Sequence, residues 1–110
     1  MKTALSILLV LICIAAKTQQ NPAEALAQKI ANRLKDSLQL TEVQKTQLYT
    51  VNMQLYTLKQ QRRQQYAGTD SLAFKVQKVE NMRDSMYQAI LPPEKYLLYR
   101  QKKPVLLNNN

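Results

Sequence analysis

Apolar residues recur every three or four positions in four stretches of this chain, and no strand signal competes with them. In the first stretch Leu26, Ile30, Leu34 and Leu38 step by four, flanked by Ala23, Ala27 and Ala31. Asn21-Pro22 provides an N-cap followed by proline at the first helical position, where a missing amide does no harm. Glu24 stands where it can reach back to that cap. In the second stretch Leu48, Val51, Leu55 and Leu58 share one face, which Tyr49 and Tyr56 widen. The residues Leu40-Thr41-Glu42-Val43-Gln44 mark its start. The Thr41 hydroxyl can accept from the Gln44 amide while the Gln44 side chain returns to the Thr41 amide, a capping box. Leu38 and Leu40 bracket the turn and can plug the corner between the two helices.

The second stripe stops at Lys59. From there to Gln65 no residue is apolar, so this segment can be helical only as a solvated continuation. Tyr66-Ala67-Gly68-Thr69-Asp70 then reads as a helix end, with Gly68 just past the helix and Thr69 or Asp70 as the next N-cap. Leu72, Val76, Val79, Met82, Met86 and Ile90 form the third stripe, and Phe74, roughly opposite it, is expected at the surface. Pro92-Pro93 ends that helix, and Pro93 can begin another. The fourth helix is expected from Glu94 to about Lys102, carrying Tyr96, Leu97, Leu98 and Tyr99, with Pro104 stopping it. Residues 104–110 are expected as a disordered tail. The six tyrosines read as core-edge residues with the hydroxyl outward. The fold class that follows is all-α: two long and two short amphipathic helices in a thin antiparallel hairpin. Its core is thin enough that a homodimer would help it.

Composition changes this picture at the N-terminus. Lys2 precedes an almost wholly apolar run from Ala4 to Ala16, too short to span a bilayer and of the length of a signal-peptide core. Residues 1–16 are therefore expected to be a cleaved export signal, with a helical domain over 17–103. Ile12 is too large for a lipid to be attached at Cys13. Cleavage after Ala16 removes the only cysteine, and the chain has no histidine. No disulfide, catalytic triad, thiol nucleophile or soft-metal site is then available, and a single glycine excludes a glycine-rich phosphate loop. The expectation is a protein that is not an enzyme and takes no cofactor or metal. Glu80 and Asp84, four residues apart, read as a solvated acidic pair with too few oxygens for calcium.

Charge adds a candidate surface. The chain carries 16 Lys and Arg against 7 Asp and Glu, a formal +9. Lys59, Arg62 and Arg63 crowd the end of one helix and Lys75, Lys78 and Arg83 follow on the next, so a hairpin about Gly68 would gather them at one end. Such a cluster attracts acidic proteins and makes weak contact with anionic membranes over a Debye length of ~10 Å. Nucleic acid is not expected, since aromatics do not alternate with the cations as a stacking platform requires. The candidate client-binding residues are Met53, Lys59, Arg62, Arg63, Phe74, Lys75 and Lys78, combining charge for capture with adaptable apolar contact.

Leu40-Thr41-Glu42-Val43-Gln44 also resembles the LTxxQ motif of the Spy and CpxP family of small exported helical proteins. A second copy would be Leu91-Pro92-Pro93-Glu94-Lys95, in which Pro92 and Lys95 replace the capping threonine and glutamine. The order of parts is similar too: signal, short helix, motif, long helix, turn, long helix, motif, short helix. The resemblance makes Leu40, Thr41, Gln44, Leu91, Pro93 and Glu94 the structural motif residues. It implies a cradle-like homodimer in the periplasm, acting as an ATP-independent chaperone for unfolded or partly folded envelope proteins. The alternative is a non-catalytic regulatory partner of one specific membrane sensor or envelope protein. Metal binding through histidine, found in some relatives, is not implied here because the histidines are missing.

Overall fold

The computed structural model describes residues 21–108. The expected signal at 1–16 and the last two residues lie outside the described residues. Four helices follow one another: α1 (Pro22–Leu38), α2 (Glu42–Gln65), α3 (Leu72–Gln88) and α4 (Pro93–Leu106). Among the described residues there is no strand, and no helix is long and apolar enough to cross a membrane. Each helix packs on the next, and α4 returns to pack on α1. The four therefore close a ring in which α1 and α3 are not neighbours.

The first half is built as its sequence pattern predicts. The Asn21 side chain caps α1 by accepting from the Ala23 amide at 2.8 Å, and Pro22 occupies the first turn. α2 opens with the complete capping box: the Gln44 amide donates to the Thr41 hydroxyl at 3.1 Å and the Thr41 amide to the Gln44 side chain at 2.9 Å. Between them α1 ends at Gln39, which adopts a left-handed conformation (φ 54°), and the Leu40 amide donates to the Lys35 carbonyl at 3.0 Å. That turn delivers Leu38 and Leu40 into the core, 1% and 7% exposed. Leu34, Leu48 and Leu55 are wholly buried beside them. On α1 the alanines turn inward more than expected: Ala23, Ala27 and Ala31 are buried, whereas Leu26 is half-buried. Small side chains there let α1 and α2 approach closely. Beyond Lys59, α2 continues as a solvated helix to Gln65.

The second half departs from its pattern in four places. α3 begins at Leu72 with Ser71 in the capping position, in place of Thr69 or Asp70. Thr69 is occupied elsewhere, its hydroxyl donating to the Tyr66 carbonyl at 2.6 Å in the turn where Gly68 takes φ 75°. Met82, expected in the third stripe, is 43% exposed, because the buried face of α3 is centred on Val79, Arg83 and Tyr87. The tyrosine hydroxyls do not all face out: Tyr87 and Tyr99 are fully buried, with ring centroids 4.9 Å apart. Finally α4 does not stop at Pro104. It continues to Leu106, which is 3% exposed, and Leu107 packs against the same core. A proline inside a helix costs about 3 kcal/mol. Fully burying one leucine returns ~1.5–3 kcal/mol, and Leu107 adds to it. The segment from 104 to 108 is therefore part of the folded domain, where a disordered tail was expected.

Candidate functional site

Arg83 organises the interior. Its Nε donates to Glu80 Oε1 at 2.7 Å, and its Nη1 donates to Asn52 Oδ1 at 2.7 Å and to the Tyr87 hydroxyl at 2.9 Å. The Tyr87 hydroxyl in turn donates to Asn52 Oδ1. Asn52 Nδ2 crosses to the Ala27 carbonyl on α1 at 3.2 Å, through the space an alanine leaves. Lys59 donates to Glu80 Oε2 from α2. Three helices are thus tied by one polar cluster, and among the described residues no buried side-chain nitrogen or oxygen lacks a partner. Burial works against the Arg83 charge, yet its hydrogen bond to the Glu80 carboxylate and the neighbouring charges outweigh it and hold the guanidinium pKa above its ordinary value. Burial likewise pushes Glu80 up, and the Arg83 and Lys59 bonds overcome that, leaving its carboxyl below the usual value.

A second cluster joins α3 to α4. Asp84 accepts from the Tyr99 hydroxyl at 2.7 Å, from Lys103 Nζ at 3.0 Å and from Arg100 Nη1. These bonds lower its pKa against the opposing effect of burial. Burial, followed by the Asp84 hydrogen bond and charge, raises Tyr99 well above the ordinary phenol range. Glu80 and Asp84 are therefore not the solvated pair their spacing suggested. Each carboxylate is taken up by its own set of donors, because the ring of helices brings Lys59 to one and α4 to the other. Among the described residues no group of three or more acidic, cysteine or histidine side chains gathers that could hold a metal.

Two concave surfaces flank this core. One is a slot of about 330 Å³ between α1 and α3, floored by α2. Its apolar wall is the first turns of α1 with Leu107, its far wall is Glu80 and Arg83, and Lys59 and Arg63 stand on the floor. The other is a shallow groove on the opposite side of α2, lined by Thr50, Met53, Gln54, Thr57, Leu58 and Met86 and almost entirely carbon. On α3 the exposed Met82 (43%) lies one helical turn before Met86 on the groove side, whereas the exposed Phe74 (66%), twelve residues before Met86, faces away from the core.

Of the seven candidate client-binding residues, three line these surfaces and four lie outside them. Met53 lines the groove. Lys59 and Arg63 line the slot, Lys59 already bonded to Glu80. Arg62 donates to Gln65 at 2.9 Å on the solvated end of α2. Lys75 lies 5.1 Å from the Tyr66 ring at the turn, and Lys78 lies 6.0 Å from the exposed Phe74 ring. Pattern reading passed over Asn52, Met82 and Met86 as site residues. Asn52 had a signal: it falls between Leu48 and Leu55 on the buried face of α2, as Arg83 falls between Val79 and Tyr87 on α3. Of the structural motif residues, Leu40 and Leu91 enter one core cluster, Pro93 opens α4 and Glu94 stays exposed in its first turn. No protein-family model, no curated protein sequence and no solved structure matches this chain.

Proposed function

We propose that this protein binds polypeptides without catalysis, holding unfolded or partly folded segments on the groove side of α2 and α3 as an ATP-independent chaperone of the cell envelope. The observation that carries this reading is the apolar track of Met53, Leu58 and Met86, extended by the exposed Met82, with Phe74 exposed elsewhere on α3. Three methionines and one phenylalanine at the surface offer adaptable, weak contacts suited to many sequences. Lys78 beside Phe74 and the formal +9 of the chain would draw acidic segments in before those contacts form. The likeness of Leu40-Thr41-Glu42-Val43-Gln44 to the LTxxQ motif supports the same reading, as does its working capping box.

The test is light scattering by a reduced or denatured client with this protein in several-fold molar excess. Suppression that falls when Met53, Met86 and Phe74 are replaced by Gln, Gln and Ser is the expected result. Unchanged scattering with the native protein overturns the chaperone reading. In that event, one saturable membrane-protein partner would put a regulatory subunit in its place.

A further inference from the structure

We infer that the slot between α1 and α3 is a separate binding site for a small amphipathic anion, a medium-chain carboxylate being its simplest form. The inference does not depend on the groove. Along α2, Asn52, Tyr56, Lys59 and Arg63 follow at helical spacing and all face the slot. Opposite them Ala23, Leu26, Ala27 and Ile30 of α1, with Leu107, make a wall without a polar side chain. The slot is thus apolar on one side and cationic on the other.

Charge selects the sign of the occupant. Lys59, Arg63 and Arg83 face one carboxylate, Glu80, so the lining is net positive. The Arg83 guanidinium is turned into the core, where Glu80, Asn52 and Tyr87 take its donors, and it fixes the wall in place. Lys59 uses one of its three donors on Glu80, and Arg63 touches Gln60 at 3.5 Å with one nitrogen. These two cations can therefore meet an anionic head together. Size selects against a helical peptide. A volume of about 330 Å³ holds roughly ten heavy atoms at ~30 Å³ each, whereas a helix is ~10 Å across with its side chains. Octanoate has a head and a tail that match both the size and the two-sided lining.

The experiment is a titration of the ¹⁵N-labelled protein with sodium octanoate, followed by amide chemical shifts, with 1-octanol as the uncharged control. Saturable shifts centred on Ala27, Asn52 and Lys59 are expected. Binding of 1-octanol should be roughly tenfold weaker, the equivalent of one charge-assisted hydrogen bond. Arg63→Gln, at an exposed position, should weaken octanoate about fivefold to tenfold, and Met53→Gln should leave it unchanged. Equal binding of octanol and octanoate overturns the inference. So do shifts centred on Met53 and Met86, insensitivity to Arg63→Gln, or no saturation at all.

Discussion

The α1–α2 corner and the α3–α4 corner are both helix pairs of similar size, yet they are held by different forces. The first is aliphatic: Leu34, Leu38, Leu40, Leu48 and Leu55 exclude water, and side chains cap both helix starts. The second buries few aliphatic side chains. Its buried residues on α3 are Val79, Arg83 and Tyr87, on α4 Tyr99 and Leu106, and neither helix start has a side-chain cap. What substitutes is a charge cluster around Asp84 that joins α3 to α4, together with one around Glu80 that ties α3 back to α2. A chain this small that buries few large aliphatic residues in its second half can still fold there if each buried polar group finds a partner. The cost is that the second half fails sharply when one partner is lost.

The largest expected effect tests that fragility. Arg83→Ala removes the donor that Glu80, Asn52 and Tyr87 share in the interior and should cost about 3–5 kcal/mol, most of the stability of so small a domain. A urea midpoint within experimental error of the native protein would dissolve the distinction between the halves. Leu34→Ala, at a fully buried site in the aliphatic half, should cost about 2–5 kcal/mol as a cavity, with an unchanged pH profile.

Acid separates the halves further. Glu80 and Asp84 have folded pKa values below their ordinary 4.5 and 3.8. Their contribution is present above those values and is lost as pH falls through the lowered folded ones. Urea midpoints should therefore drop below about pH 4.5, and Arg83→Ala should flatten the Glu80 part of that drop. Smaller effects belong to the α1–α2 turn. Thr41→Ala removes half of the capping box and should cost about 1 kcal/mol. Gln39→Gly relieves a left-handed side chain and should gain about 0.5–1 kcal/mol, read as a raised melting temperature.

The two halves also differ in how far the chain betrays them. In the first, type and position agree: Leu at the buried positions, Thr41 and Gln44 at the cap. In the second, the buried face carries Arg83 and Tyr87 where a hydrophobicity pattern expects carbon, so the pattern drifts toward Met82 and misplaces the face. The same drift hides the groove, since Met82 reads as core and Met86, which does pack against the core, also lines the groove. Charge reading grouped Lys59 with Arg62 and Arg63 as one cluster, and the helix turn set Lys59 and Arg63 in the slot and Arg62 apart.

By itself the sequence determined the helices of this protein, their starts at Asn21, Thr41 and Pro93, and the apolar packing of α1 on α2. Those depend on neighbours within a few residues, through backbone hydrogen bonds and the helical repeat. Only the tertiary structure decided that Asn52, Arg83, Tyr87 and Tyr99 are buried, that α4 runs through Pro104, and that a cationic slot and a methionine groove lie on opposite sides of α2. Each of these depends on a partner more than a dozen residues away in the chain: Ala27 and Arg83 for Asn52, Asp84 for Tyr99, and the shared core for Leu106. A polar side chain is placed by the partner that satisfies it, and that partner is chosen by the fold.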